Sequence, residues 1–359
     1  KFFVPAEVKG AFDKLIVGST AQNAWAESLS AETKAKIEEL QNPNFDAIEY
    51  PTFEADSSVA TRDSNHKILN AIAAAIPGFL GGSADLGPSN KTELKGEGDF
   101  PNGRNVHFGI KEHAMAAICN AMNLYGLFRV YSATFFVFSD YLKPSARIAA
   151  LAGIPQHFIW THDSIGVGED GPTHQPIEHL SQFRALPNFY TFRPADATEN
   201  VESWKVALKM KAPTAFVCSR QGLRVLKGEK AYGDVSNGGY LLKQRENANI
   251  TIMASGSEVM LALQTACKLE EEGIFANIVS VPCFDLLLEQ DKEYISKIID
   301  SNTKVYAVEA ARGLEYYRFA DVVFGMDTFG ASGPANDLFE EFGFTIEKLK
   351  ANIVADFKN

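Results

Sequence analysis

Residues 158–176 read FIWTHDSIGVGEDGPTHQP. Phe158, Ile159 and Trp160 have the β-preferring, bulky character of a buried strand. They run straight into a polar passage, Thr161 to Pro176, that holds two histidines, three acidic residues and three glycines. Ligands of open α/β sheets bind beyond the carboxyl ends of strands, so a strand followed by such a loop is the first place to look for a site. Ordering a long polar loop with little apolar anchoring costs conformational entropy, which points to function rather than to a solvated turn.

Moving outward, similar short apolar runs recur at Phe79-Leu80, Val106 to Ile110, Phe128 to Tyr131, Tyr190 to Phe192 and Ala215 to Val217. They alternate with helical stretches at Glu112 to Leu124 and Tyr141 to Leu151, and this alternation implies parallel βαβ units. Ser57-Ser58 reads as a helix cap before Ile68, Leu69, Ile72 and Ile76, with Pro77-Gly78 as the stop. A polar, glycine-rich passage from Gly228 to Gly239 breaks the pattern, which resumes at Ile250 to Met253, Ala276 to Val279 and Val305 to Val308. The expected fold is therefore α/β, with two doubly wound domains and mostly parallel sheets. The expected boundaries are a helical connector over 1–52, a first domain over 53–230 and a second over 231–359.

The chain of 359 residues carries a formal charge of −11. A binder of nucleic-acid backbone needs a basic face, so that class is excluded. Cys119, Cys218, Cys267 and Cys283 lack zinc-finger spacing and read as buried thiols. No stretch has the apolar length of a membrane helix, and the expectation is a soluble, cytoplasmic protein without a membrane partner. The chain opens on Lys1-Phe2-Phe3-Val4-Pro5 without an initiator methionine, as a fragment would.

Four polar loops collect the candidate site residues: 81–90, 109–115, 133–138 and 161–176. His162 and His174 lack the spacing of helical metal ligands, so no metal site is assigned, and recognition of sugar hydroxyls or phosphate suits the last loop better. Glu112 stands at the start of a helix, where the macrodipole favours a carboxylate whether or not it does chemistry. Phe135, Phe136 and Phe138 are of a type common in cores. Arg62, Ser89 and Arg220 offer phosphate donors. His66, His107, His113, His157 and His179 are read as structural.

Taken together, THDSIGVGEDGPTHQP, GGSADLGPSN, FGIKEHAM, ATFFVFSDY, FRPAD and SRQ resemble the transketolase family, in the order that family has them and over essentially the whole chain. The resemblance implies a pyrimidine-binding domain followed by the family's carboxyl-terminal domain. It implies thiamine diphosphate as cofactor, with Mg2+ or Ca2+ held by an amino-terminal diphosphate-binding domain that this chain does not contain. Glu112 would hydrogen-bond the aminopyrimidine ring nitrogen and favour the imino tautomer, so that the exocyclic nitrogen acts as a base. Phe138 would stack on the pyrimidine, with Phe135 and Tyr141 completing the pocket and Asp85 near the cofactor at the subunit boundary. Arg62, Ser89, His162 and Arg220 would contact the sugar phosphate, and Asp170 and His174 the substrate hydroxyls. Glu112, His162 and His174 are the expected catalytic residues. The implied reaction moves a two-carbon ketol unit from xylulose 5-phosphate to ribose 5-phosphate in the pentose phosphate pathway. The implied assembly is a homodimer with active sites between subunits, so the chain by itself should be inert.

Lys111 stands where many relatives have arginine, and the segment from Lys91 to Arg104 is shorter than in some. A beta subunit of a 2-oxo acid dehydrogenase has a similar length and domain order but would lack the 161–176 loop and the paired arginines. Dihydroxyacetone synthase, deoxyxylulose phosphate synthase, a naturally split transketolase subunit and a non-catalytic dimerising module are the other readings.

Overall fold

The computed structural model describes residues 3–15, 18–226 and 234–358. Three helices, Ala6–Leu15 (α1), Gly18–Ser28 (α2) and Ala31–Gln41 (α3), make up a first unit that ends at Pro43. The start of α3 is capped by Ser30, whose side chain accepts from the Thr33 amide at 3.1 Å. None of its residues is buried, as the sparse apolar pattern of Ala31 to Gln41 requires.

The second unit runs from Asn44 onward and holds both sheets. Strand Ser58–Ala60 (β1) leads into helix Thr61–Ala75 (α4). The first sheet consists of Phe79–Ser83 (β2), Arg129–Phe135 (β3), His157–Thr161 (β4), Tyr190–Phe192 (β5) and Thr214–Cys218 (β6). These strands are all parallel, in the spatial order β2-β3-β4-β6-β5. Helices Gly87–Asn90 (α5), Glu112–Tyr125 (α6), Ser139–Ala152 (α7), His179–Arg184 (α8) and Ala197–Ala207 (α9) connect them. A parallel sheet must be covered on both faces, and it is. Ile68, Leu69 and Ile72 of α4 and Trp204 of α9 pack with Phe79, Tyr131, Ile159 and Phe216. On the opposite face Met115, Leu142 and Leu180 pack with Leu80, Val130, Trp160 and Val217.

Strand Gly222–Arg224 (β7) pairs antiparallel with β1. The second sheet comprises Tyr240–Lys243 (β8), Ile250–Ala254 (β9), Ala276–Ser280 (β10), Lys304–Val308 (β11) and Val322–Phe324 (β12), in the order β12-β11-β9-β10-β8. Only β8 runs antiparallel, at the edge. Helices Glu258–Leu269 (α10), Phe284–Leu288 (α11), Lys292–Ile298 (α12), Ala335–Glu341 (α13) and Ile346–Phe357 (α14) complete it.

Three readings of the sequence need correction. Val106 to Ile110 is not a strand; only Asn105 bridges to Gly81, and Val106 donates to the Gly81 carbonyl at 2.8 Å. A Cβ on Gly82 would lie 1.9 Å from the Val106 oxygen, so the passage is held by close backbone approach, and Gly109 at φ +67° then turns it away. Ser57 and Ser58 do not cap α4, because Ser58 is drawn into β1 and the position before the helix is Ala60, which has no side-chain cap. Cys119, Cys218 and Cys283 are buried, but Cys267 is exposed. Part of the expected boundary passage, residues 227–233, lies outside the described residues.

The two sheets share a core in which Phe192 and Phe216 meet Val235, Tyr240, Cys283 and Leu286. Glu199 of α9 is fully buried there, accepting from Tyr240 at 2.8 Å and Ser280 at 2.7 Å across the domains. Burial outweighs these donors and pushes the Glu199 carboxyl up to about 7. A carboxyl raised in the folded state contributes most below its unfolded value, and that contribution is lost as pH climbs toward 7. Glu199→Gln should therefore gain stability relative to the parent between pH 4.5 and 7.5, by on the order of 2–3 kcal/mol. Urea unfolding at both pH values checks this, and a difference between the two proteins that does not change with pH would refute it.

Candidate active site

The carboxyl ends of β2, β3, β4 and β6 open onto one region. At the end of β4 the chain enters the 161–176 loop through His162, a left-handed residue at φ +65° and only 2% exposed. A non-glycine residue is held in that conformation by its surroundings. The Thr161 hydroxyl donates to Asn90 Oδ1 at 2.7 Å and also stands 2.7 Å from His162 Nδ1. On its flat side the imidazole stacks on Phe135, with ring centres 3.7 Å apart. Phe135 is parallel to Phe138 at 5.9 Å, and Phe138 is 6.1 Å from Tyr141 and edge-on to His174 at 5.4 Å. Five expected site residues, Phe135, Phe138, Tyr141, His162 and His174, are thus brought together by ring contacts.

The cations gather beside them. Arg62 donates to the Ser89 carbonyl at 3.0 Å, and Arg220 to the Val167 carbonyl at 3.3 Å. Burial, aided by the neighbouring Arg220, lowers the Arg62 guanidinium. His162 is pushed down to about 3 by burial and then by Arg62, Arg220 and His174. Two guanidiniums beside a neutral imidazole, each donating to a main-chain carbonyl, form a receptor for an anion.

Glu112 lies in the first turn of α6 and is 8% exposed. Among the described residues no hydrogen bond or ion pair reaches its carboxyl, and it is not joined to the ring cluster by any ring contact. A carboxyl without a protein partner has hydrogen-bonding capacity left for a donor from a bound group. The apolar wall of Phe135 and Phe138 suits a flat aromatic ring. Asp85, at φ +65°, is exposed and lines a cleft of about 370 Å³ with His107, Glu93 and Gly109. Asp170 is exposed at the tip of the 161–176 loop. Neither Asp85 nor Asp170 is drawn into the ring cluster.

The remaining histidines sit elsewhere. His157 is buried in β4, 2.8 Å from the Thr214 hydroxyl, and His107 is exposed and paired with Asp99 at 2.9 Å. His113 lies 3.2 Å from the Ser145 hydroxyl, His66 3.1 Å from the Lys91 carbonyl, and His179 3.3 Å from Asp140.

Sequence reasoning missed what supports the loop. Asp163 pairs with Arg193 at 2.8 Å, and Arg193 also bonds Glu258 at 2.5 Å and Glu309 at 3.3 Å in the second domain. Arg184 bonds Glu309 at 2.6 Å and Glu315 as well. Four carboxylates thus share two fully buried guanidiniums. Burial works to raise Glu309, yet Arg184 and Arg193 outweigh it and leave its carboxyl below the ordinary range. The only local signal was the FRPAD motif around Arg193.

Two family models match the chain: the transketolase pyrimidine-binding domain over residues 57–225, and the transketolase-like carboxyl-terminal domain over residues 238–345. The chain belongs to the transketolase family. It is 43% identical to a transketolase of Halalkalibacterium halodurans, over all of this chain and 57% of that protein. The crystal structure of the Campylobacter jejuni transketolase superimposes with a TM-score of 0.93 at 53% identity, over 99% of this chain and 56% of the other. A Pichia stipitis transketolase in complex with sedoheptulose 7-phosphate gives 0.92 at 36%, over 100% and 56%. The chain spans just over half the length of these transketolases. Both α/β domains, with mostly parallel sheets, are those of the family.

His162 should remain a neutral imidazole from pH 8 down to pH 5, since its transition is held near 3. Nitrogen-15 NMR of the ring reports this directly, and a titration centred near the ordinary histidine value would contradict the assigned environment.

Proposed function

We propose that this chain supplies the pyrimidine-binding and substrate-contacting half of a transketolase active site, transferring a two-carbon ketol unit from xylulose 5-phosphate to ribose 5-phosphate. The observation that carries the reading is the gathering of Arg62 and Arg220 beside His162, which stacks on Phe135 while His174 packs edge-on against Phe138. An amino-terminal diphosphate-binding domain, with its Mg2+ or Ca2+, completes the site, and the chain without it is inactive. Thiamine diphosphate, when bound, supplies the nucleophilic carbon that breaks and re-forms the bond between the ketol unit and the rest of the sugar.

The residues of this chain then divide the work. Glu112 holds a proton against the pyrimidine ring nitrogen, and Phe138, with Phe135 and Tyr141, covers the ring and keeps water away. Arg62, Ser89 and Arg220 grip the substrate phosphate, with His162 beside them as a neutral partner. His174 and Asp170 orient the hydroxyls near the reacting carbon, where His174 exchanges protons with substrate oxygens and His162, held neutral, hydrogen-bonds them. Asp85 sits at the boundary with a second subunit. A homodimer is supported by the apolar side chains left exposed on α6 and α7, among them Leu124 at 66%, Tyr125 at 71% and Leu151 at 74%. We assign 1–52 as the connector to the preceding domain, 53–230 as the pyrimidine-binding domain and 231–359 as the carboxyl-terminal domain, in a cytoplasmic enzyme of the pentose phosphate pathway.

The test is assembly of this chain with a family amino-terminal domain, thiamine diphosphate and magnesium, followed by assay of ketol transfer. Transfer should appear and be lost with Glu112→Gln. Arg62→Ala or Arg220→Ala should weaken phosphorylated donors by about 1.5–3 kcal/mol while leaving unphosphorylated donors nearly unaffected. No transfer from a verified, cofactor-loaded assembly would refute the proposal, and equal losses for both donor types would remove the phosphate assignment.

A further inference from the structure

The 161–176 loop belongs to the first domain by sequence, but its anchors lie in the second. Ile165 and Ile177, 0% and 3% exposed, are members of the buried cluster that contains Ile252, Met326 and Leu338. The expectation of little apolar anchoring is thereby corrected. Gln175 is buried, and its amide donates both to the Gly168 carbonyl at 3.0 Å and to the Ala331 carbonyl at 2.9 Å. One side chain therefore closes the loop on itself and ties it to the segment before α13. Ser332 donates to the Glu169 carbonyl at 2.7 Å, next to Asp170. The Arg312 amide donates to the Ile177 carbonyl at 3.0 Å. Gly330 lies so close that a Cβ there would stand 1.8 Å from the Gln175 side-chain oxygen. At the loop's entry Asp163 is held by Arg193, itself gripped by Glu258 and Glu309 of the second domain.

Entry, tip and exit of the loop are all fastened to one domain that contributes none of the assigned site residues. We propose that the second α/β domain is a positioning element for substrate recognition: the segment around Gly330 and Ser332 sets the shape of the loop that presents Asp170 and His174 to the ketose. This rests on the functional reading above. Hydroxyl recognition needs donors and acceptors at fixed separations, and a loop with glycines at φ +84° (Gly168) and +79° (Gly171) has no such rigidity of its own. Gly330, Ser332 and Gln175 act through Asp170 and His174, without touching substrate.

Gly330→Ala, which displaces Gln175, and Ser332→Ala, which frees the Glu169 carbonyl, test this in the chain assembled with a family amino-terminal domain. Each should raise KM for the ketose phosphate by roughly 5- to 10-fold, the worth of about one hydrogen bond. The accompanying kcat and cofactor affinity should change by less than about 2-fold, because Glu112 and the aromatic wall are untouched. Ser332→Thr, which keeps the hydroxyl, should restore KM. In the isolated chain the same variants should speed amide hydrogen exchange over residues 166–175 and not elsewhere. An unchanged KM in an active assembly overturns the proposal, as does a uniform rise in exchange across the second domain, which would mark general destabilisation. If the parent assembly shows no transfer, the functional reading fails, and exchange still decides the inference: faster exchange confined to 166–175 supports it, and unchanged exchange overturns it.

Discussion

Arg193 carries its charge where water does not reach, and three carboxylates from three different elements converge on it. Taking a guanidinium out of water costs several kcal/mol unless fixed partners replace the lost hydration, so this side chain can sit where it does only while Asp163, Glu258 and Glu309 are all in place. Asp163 follows His162, Glu258 opens helix α10 of the other domain, and Glu309 directly follows strand β11 there. The charge requirement of one residue therefore ties the candidate site to the domain behind it. Removing a single partner would leave buried guanidinium hydrogens without an acceptor, which gives the joint an all-or-none character that apolar contacts lack.

From that joint the rest of the site follows by short steps. With Asp163 held, His162 is kept in its left-handed conformation, and its ring is pinned between Phe135 and the Thr161 hydroxyl. With the ring pinned, Arg62 and Arg220 meet an uncharged neighbour rather than a third cation, and an anion is what their mutual repulsion calls for. Glu112 belongs to a different element and depends on none of this. Its position is set by the start of α6, which packs against α7 through His113 and Ser145. The site thus has two separately supported parts, one suited to a heterocycle and one to a sugar phosphate.

Much of this was legible in the residues. The strands Phe158 to Trp160 and Ala215 to Val217 announced themselves because a parallel sheet buried on both faces leaves continuous apolar runs. The motif order named the family, and the loops it marked are where the rings and guanidiniums gather. The failures share a cause, which is contact between residues distant in the chain. Ser58 pairs with Arg224 in β1 and β7 instead of capping a helix, and Val106 to Ile110 is shaped by Gly82 rather than by its own β propensity. Ile165 and Val167 were lost among glycines and acids, although they are buried at 0% and 1%. Arg184 looks like a surface residue in any local window, and Arg193 is marked only by FRPAD, since only the fold brings Glu258, Glu309 and Glu315 to them.

The central claim is that Arg193 couples the site loop to the second domain. A double-mutant cycle between Asp163→Asn and Glu258→Gln, read by urea unfolding, measures it, because the two carboxyls interact chiefly through the guanidinium they share. Coupling of about 1–3 kcal/mol is expected for members of one buried network. Additivity within about 0.3–0.5 kcal/mol, as found for independent sites, would contradict the account.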